Sequence, residues 1–156
     1  MTRWLSDDEQ RAWRRLAGVM VKLSPALDSQ LLRDSDLTHF DYLCLAMLSE
    51  QDNRTLTMSA LAGTANASLS RLSHVIKKLE GRGLVSRCPS PVSGRVTLVS
   101  LTPLGWQTLV AAAPGHVEWV RSLVFEDLSC DDVAALEKVA GHIVDAIERK
   151  SPKSSC

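Results

Sequence analysis

Four histidines, four cysteines and a cluster of basic side chains are the residues of this 156-residue chain that could carry chemistry. The histidines stand at 39, 74, 116 and 142, with no HExxH pair, glycine-rich phosphate loop or nucleophile elbow around them. Catalysis is not expected. The cysteines, at 44, 88, 130 and 156, include no CxxC pair and no histidine at zinc-ligand spacing. Neither a metal site nor a cofactor is therefore expected, and the cysteines read as free thiols. Cys44 lies in an apolar helical stretch and reads as core, whereas Cys88 and Cys156 read as more exposed. Oxidation is left open for either of these two, Cys88 lying near the hairpin tip.

The basic residues are more informative. The chain balances 18 Lys+Arg against 18 Asp+Glu, a formal net charge of zero. Its three parts do not balance. Residues 1–53 carry net −3 and residues 96–156 net −3, while residues 54–95 hold seven basic residues and one acid, Glu80, for net +6. A basic centre between acidic arms suggests one surface that meets a polyanion, with a solvated basic face as the alternative.

These side chains need elements to position them. At 45% hydrophobic and 23% charged, the chain can bury a core, and no apolar run approaches the ~20 residues of a membrane span. Ser6-Asp7-Asp8-Glu9 has the form of a capping box, and Trp13, Leu16, Ala17, Met20 and Leu23 follow at helical spacing. The spacing predicts a first helix from about Asp7 to about Arg33, bent at Pro25. A second helix is expected after Thr38 up to Ser49, a short strand at Thr55–Thr57 and a short third helix around Met58, Leu61 and Ala62. A fourth helix begins after Ser68, with Leu69, Leu72, Val75, Ile76 and Leu79 as its buried stripe. Its opposite face carries Ser70, His74 and Lys77, flanked by Arg71, Ser73 and Lys78.

Two strands, Leu84–Cys88 and Val96–Leu101, flank a turn-rich segment from Pro89 to Gly94 and predict a hairpin with a protruding tip. Thr102-Pro103 opens a fifth helix, with a kink or break at Pro114-Gly115. A sixth follows Ser129 with an apolar stripe from Val133 to Ile147. The fold class is mainly α with a small β-hairpin. The order of elements predicts a winged helix-turn-helix (36–102) flanked by an N-terminal helix (1–35) and C-terminal helices (103–150), with a polar tail at 151–156. Six of the seven central basic residues lie on the fourth helix or its hairpin.

The segment Ser68-Leu69-Ser70-Arg71-Leu72-Ser73-His74-Val75-Ile76-Lys77-Lys78-Leu79-Glu80-Gly81-Arg82-Gly83-Leu84-Val85-Ser86-Arg87 resembles the multiple-antibiotic-resistance-regulator (MarR) family. So do Ser59-Ala60-Leu61-Ala62 and the run from Gly94-Arg95 to Leu101-Thr102-Pro103-Leu104-Gly105. The resemblance covers about Leu37 to Gly105 by motif and the flanks by helix order. It implies a bacterial or archaeal cytosolic transcription regulator, a homodimer whose fourth helix enters the major groove of double-stranded DNA. The wing then reaches the neighbouring minor groove, and the terminal helices interleave with the partner's.

Ser68, Ser70, Arg71 and Ser73 are accordingly expected to reach bases or phosphates, because such helices present their first turns to base edges. Arg71 is the expected guanine contact, its fork matching both guanine acceptors. His74, Lys77, Lys78 and Arg87 are expected on the DNA backbone, although Lys78 also reads as a solvated side chain. Arg95 matches the family's wing arginine. The acid usual two residues before it is Ser93 here, which implies a looser wing tip or one stiffened by Pro89 and Pro91. The resemblance also implies a small, often aromatic, effector bound between the dimer helices and the DNA-binding lobe. Trp13, His39, Phe40, Trp106 and His116 are the candidate lining, with a core or interface role as the alternative. The family's redox branch uses a cysteine in the first helix, and this chain has none before Cys44. A thiol switch on the same scaffold and a protein-binding winged helix remain the competing functions. The central charge weighs against the latter.

Overall fold

A computed structural model describes residues 1–150. These fall into two compact units, residues 1–117 and the segment from Glu118 onward.

The first unit opens with α1 (Asp7–Ser35), started by the Ser6–Glu9 capping box and continuing through Pro25 to end at Asp36, φ +53°. Its second half supplies the buried Leu27, Gln30 and Leu31, while Trp13 and Met20 in the first half stay about half exposed. α2 (His39–Ser49) starts at a second capping box, Thr38–Asp41, and buries Cys44, Leu45 and Leu48. β1 (Thr55–Thr57) leads into α3 (Met58–Thr64), with Thr57 as N-cap. Asn66, φ +53°, turns the chain into α4 (Leu69–Gly81), whose N-cap is Ser68.

Leu72, Ile76 and Leu79 of α4 are buried in the core, with Val75 packed at its margin. Leu69 departs from the expected stripe and is 53% exposed. It sits in the first turn, before the helix face closes on α3.

β2 (Val85–Pro89) and β3 (Thr97–Leu101) pair antiparallel, and β1 adds to the far side of β3, giving the order β1-β3-β2. Thr102 closes this layer twice. Its Oγ1 donates to the Gly83 carbonyl and accepts the Gly105 N–H, capping α5 (Pro103–Val120). Gly105 is there because nothing larger fits: a Cβ would lie 2.0 Å from the Leu84 carbonyl oxygen. The core joins α1, α2, α3, α4, the sheet and the start of α5.

The expected break at Pro114-Gly115 is not made, and α5 runs on to Val120. Ala111 to Ala113 are strong helix formers, and a proline removes only one ladder bond while the flanking turns persist. The departure from regular helix comes later, in a π-helical turn at Arg121–Phe125. In the second unit, Ser129 and Asp132 cap each other reciprocally at the start of α6 (Cys130–Lys150). No residue of α6 is buried. Val133, Leu136, Val139, Ile143, Val144 and Ile147 form an uncovered apolar stripe.

Candidate nucleic-acid interface

The exposed side of α4 is set by its buried side. Once Leu72, Ile76 and Leu79 face the core, Ser70, Arg71, Ser73, His74 and Lys77 must face solvent, and all five do. Ser68, also exposed, spends its Oγ on the Arg71 N–H at 3.2 Å. Three serines, two cations and a histidine therefore project from the first three turns and their cap, with no acidic side chain among them.

The basic residues divide into free and engaged. Lys78 Nζ lies 2.5 Å from Asp41 Oδ2, where the carboxylate is buried and the lysine side chain is 44% exposed. Arg82 donates to the Asp36 carbonyl at 2.5 Å. Arg87 forks onto Glu80, with Nε 3.0 Å and Nη2 2.7 Å from Oε2, and its own N–H reaches Oε1. The arginine holds the Glu80 carboxyl below its usual range, chiefly through these hydrogen bonds. Lys78 and Arg82 tie α4 to the α1–α2 corner, and Arg87 ties β2 to the end of α4. These three cations tie α4 and the β2–β3 hairpin to their neighbours. Arg71, Lys77 and Arg95 are exposed, and no ion pair engages them among the described residues.

The wing tip is closed by backbone bonds from Ser90 N–H to Val96 O and from Val96 N–H to Ser93 O. The Ser90 hydroxyl also accepts the Val92 N–H. Arg95 lies in this tip, exposed in the loop between β2 and β3. Main-chain bonds thus close the tip, where the sequence led to the expectation of a looser tip or one stiffened by Pro89 and Pro91.

Arg71 also has a second environment. Its guanidinium stacks on the Phe40 ring, 4.3 Å from the centroid. Both residues line a cleft of about 310 Å³ between α1, α2 and α4, which His39, Asp41, His74 and Lys78 share. Of the five expected effector residues, His39 and Phe40 line this cleft. His116 is buried just behind, 5.6 Å from the His39 ring, with Nδ1 3.1 Å from Gln30 Oε1. Burial lowers the pKa of both histidines, and the His39 charge lowers that of His116 further. Trp13 and Trp106 are elsewhere. Trp13 is half exposed on α1 near Trp4 and Leu5, and Trp106 lies under the Arg54 guanidinium, 4.1 Å from its centroid.

Sequence spacing did not signal Asp28, Asp41 or Glu80 as site residues. Asp41 was visible only as a capping partner, and its second bond, to Lys78, crosses 37 residues of sequence. Among the described residues no group of three or more His, Cys, Asp or Glu side chains could hold a metal, and no helix is long and apolar enough to cross a membrane.

The fold that positions these residues recurs in solved structures. The chain is 34% identical to Sco3205 of Streptomyces coelicolor, a MarR family transcriptional regulator solved in complex with DNA. That likeness covers 99% of this chain and 95% of the other, with a TM-score of 0.92. AbsC, another MarR family regulator from the same organism, is 36% identical over 96% of this chain and all of its own, with a TM-score of 0.89. The MarR family model matches residues 37–97. The chain belongs to the MarR family. A further relative is the HTH-type transcriptional repressor IacR of Pseudomonas putida, 34% identical over 80 residues, 51% of this chain and 47% of IacR. The chain spans 47 to 65% of the length of the curated relatives it matches.

Proposed function

We propose that this MarR-family chain is a cytosolic, non-enzymatic, homodimeric regulator of transcription. It binds a pseudo-palindromic operator through α4 and the wing, represses there, and is released by a small ligand in the α1–α2–α4 cleft. The observation that carries the reading is the acid-free exposed face of α4, Ser70, Arg71, Ser73, His74 and Lys77, beside a wing that offers Arg95. Serine hydroxyls and the arginine fork reach base edges, while Lys77, His74 and the Ser68 cap suit phosphates. Sco3205, solved on DNA, supports the docking mode, and IacR supports repression.

The uncovered stripe of α6 supports the dimer. Six large apolar side chains on one helix face, with no residue of that helix buried, need a cover that a second copy supplies. In such a dimer the acidic arms repel DNA and the basic centres attract it, which favours one docking pose.

Selection of DNA from a random pool by the purified protein tests the reading. Enriched sequences should contain two inverted half-sites with centres about 10 bp apart, or a multiple of it. Arg71→Ala should relax the preference at one position in each half-site. A pool that stays random after repeated rounds would overturn the reading.

A further inference from the structure

The cleft between α1, α2 and α4 is built from opposed charges. One wall, from α1 and α2, carries the carboxylates of Asp28 and Asp41, and the other, from α4, carries Arg71, Lys78 and His74. Phe40 lies between them, under the Arg71 guanidinium. Not all of these groups are satisfied. Asp28 Oδ1 accepts the His39 N–H at 2.7 Å. Asp41 Oδ2 accepts the Thr38 N–H and the Lys78 ammonium, but Asp41 Oδ1 is buried with no hydrogen-bond partner. The Arg71 guanidinium stacks on the Phe40 ring, and no ion pair engages it among the described residues. A buried acceptor without a donor and a guanidinium without an anion are both costly or idle as they stand, and each is completed by an opposite ligand group.

We propose that this cleft binds a small zwitterion with an apolar or aromatic body, and that the ligand removes the protein from DNA by occupying Arg71 itself. The ligand carboxylate pairs with the Arg71 fork, its body takes the Phe40 face, and its ammonium faces Asp28 and Asp41. A simple acid would leave the carboxylate wall unanswered, and a simple amine would leave Arg71 so. At about 310 Å³ the cleft lies at the low end of small-molecule sites, which suits a ligand of amino-acid size. Arg71 cannot pair with a ligand carboxylate on the Phe40 side and fork onto a guanine in the groove at once. Ligand and DNA are then mutually exclusive at this residue, with no change needed in the separation of the two α4 helices.

The inference rests on the DNA-binding reading above, and the experiment separates the two. Calorimetric titration of the DNA-free protein with L-phenylalanine, phenylacetate and phenethylamine keeps the ring and varies the charges. L-phenylalanine should bind at least ~10-fold more tightly than either singly charged analogue, the scale of one good ionic contact. Asp28→Asn, which keeps the acceptor for His39 N–H, should remove that preference and leave DNA affinity unchanged. With DNA selected by the wild-type protein, the apparent Kd for DNA should rise with L-phenylalanine concentration without limit. An effector acting through helix spacing gives instead a plateau set by a finite coupling. A plateau would overturn the competition, and phenylacetate binding as tightly as L-phenylalanine would overturn the zwitterion. Salt-dependent DNA binding with no ligand binding at millimolar concentration would overturn the whole inference while the DNA reading stands. Ligand binding by a protein with no affinity for DNA would sink the DNA reading and leave the cleft.

Discussion

Lys78→Met and Asp41→Asn break one ion pair from its two ends, and they should not cost the same. The Asp41 side chain is 1% exposed and that of Lys78 44% exposed. Methionine keeps the lysine stem but strands a buried carboxylate whose remaining donor is the Thr38 N–H, with Oδ1 unsatisfied. Stranding one member of a buried pair costs about 3–5 kcal/mol. The first turn of α2 returns about 0.3–1 kcal/mol through its dipole. A loss of about 2–4 kcal/mol is expected for Lys78→Met. Asparagine keeps the shape of Asp41, and the half-exposed lysine it releases is hydrated, so about 1 kcal/mol is expected. At roughly 2–4 °C per kcal/mol for a chain of this size, Lys78→Met should lower Tm by about 4–16 °C and Asp41→Asn by about 2–4 °C. The assay is thermal unfolding followed by circular dichroism at fixed protein concentration, because a dimer's Tm depends on it. Equal losses, or a larger one for Asp41→Asn, would refute the reasoning, since the exposed end of the pair would then be the costly one to strand.

Glu80→Ala removes the one acidic side chain of α4, and bulk electrostatics predicts tighter DNA binding. The Arg87 fork onto Glu80 predicts weaker binding, because the wing loses its tie to α4; a gel-shift titration decides, and tighter binding would refute the tie. Gly105→Ala should leave little folded protein by circular dichroism, because its Cβ would meet the Leu84 carbonyl at 2.0 Å; a fold of wild-type stability would contradict the close approach. His39 and His116 have lowered pKa values when folded, so below about 6.5 the unfolded chain takes up protons that the folded one resists. Stability to urea should therefore fall as pH drops from about 6.5, and His116→Gln should flatten that fall; an unchanged slope would remove this residue from the account. Burial pushes the Cys44 thiol up to about 12, so iodoacetamide at pH 8 should label the exposed Cys88 and Cys130 of the native protein and spare Cys44.

The legible parts of this chain are those whose partners lie within a turn or two. Ser6, Thr38, Ser68, Thr102 and Ser129 each cap a backbone N–H three residues on, so the residue types alone mark where helices start. Alternation from Val96 to Leu101 and the turn formers before it mark the hairpin, because a strand's face pattern is local. Pro114 misled, because a proline's cost depends on whether neighbouring turns hold, and Ala111 to Ala113 hold them.

At the site, spacing around α4 distinguishes the exposed face from the buried one but not a free cation from an engaged one. Lys78, Arg82 and Arg87 look like Lys77 in sequence, yet their partners are Asp41, Asp36 and Glu80 across helix ends. The cleft was legible only in part. His39 and Phe40 carry a local aromatic signal, whereas Asp28 and Arg71 meet them through the packing of three helices. Trp13 and Trp106 carry the same signal and lie apart, because an aromatic side chain serves a surface or a cation–π contact as readily as a binding site.

The central claim is that α4 and the wing of a twofold dimer neutralise DNA phosphates. Its most direct test is the salt dependence of binding to the selected operator, compared between wild type and Lys77→Ala. The plot of log K against log salt should be linear and steep, with a slope of about −0.9 for each phosphate neutralised. Because each dimer carries two copies of Lys77, its removal should make the slope shallower by about 1.8. A flat line for the wild-type protein, or a slope that Lys77→Ala leaves unchanged, would contradict the account.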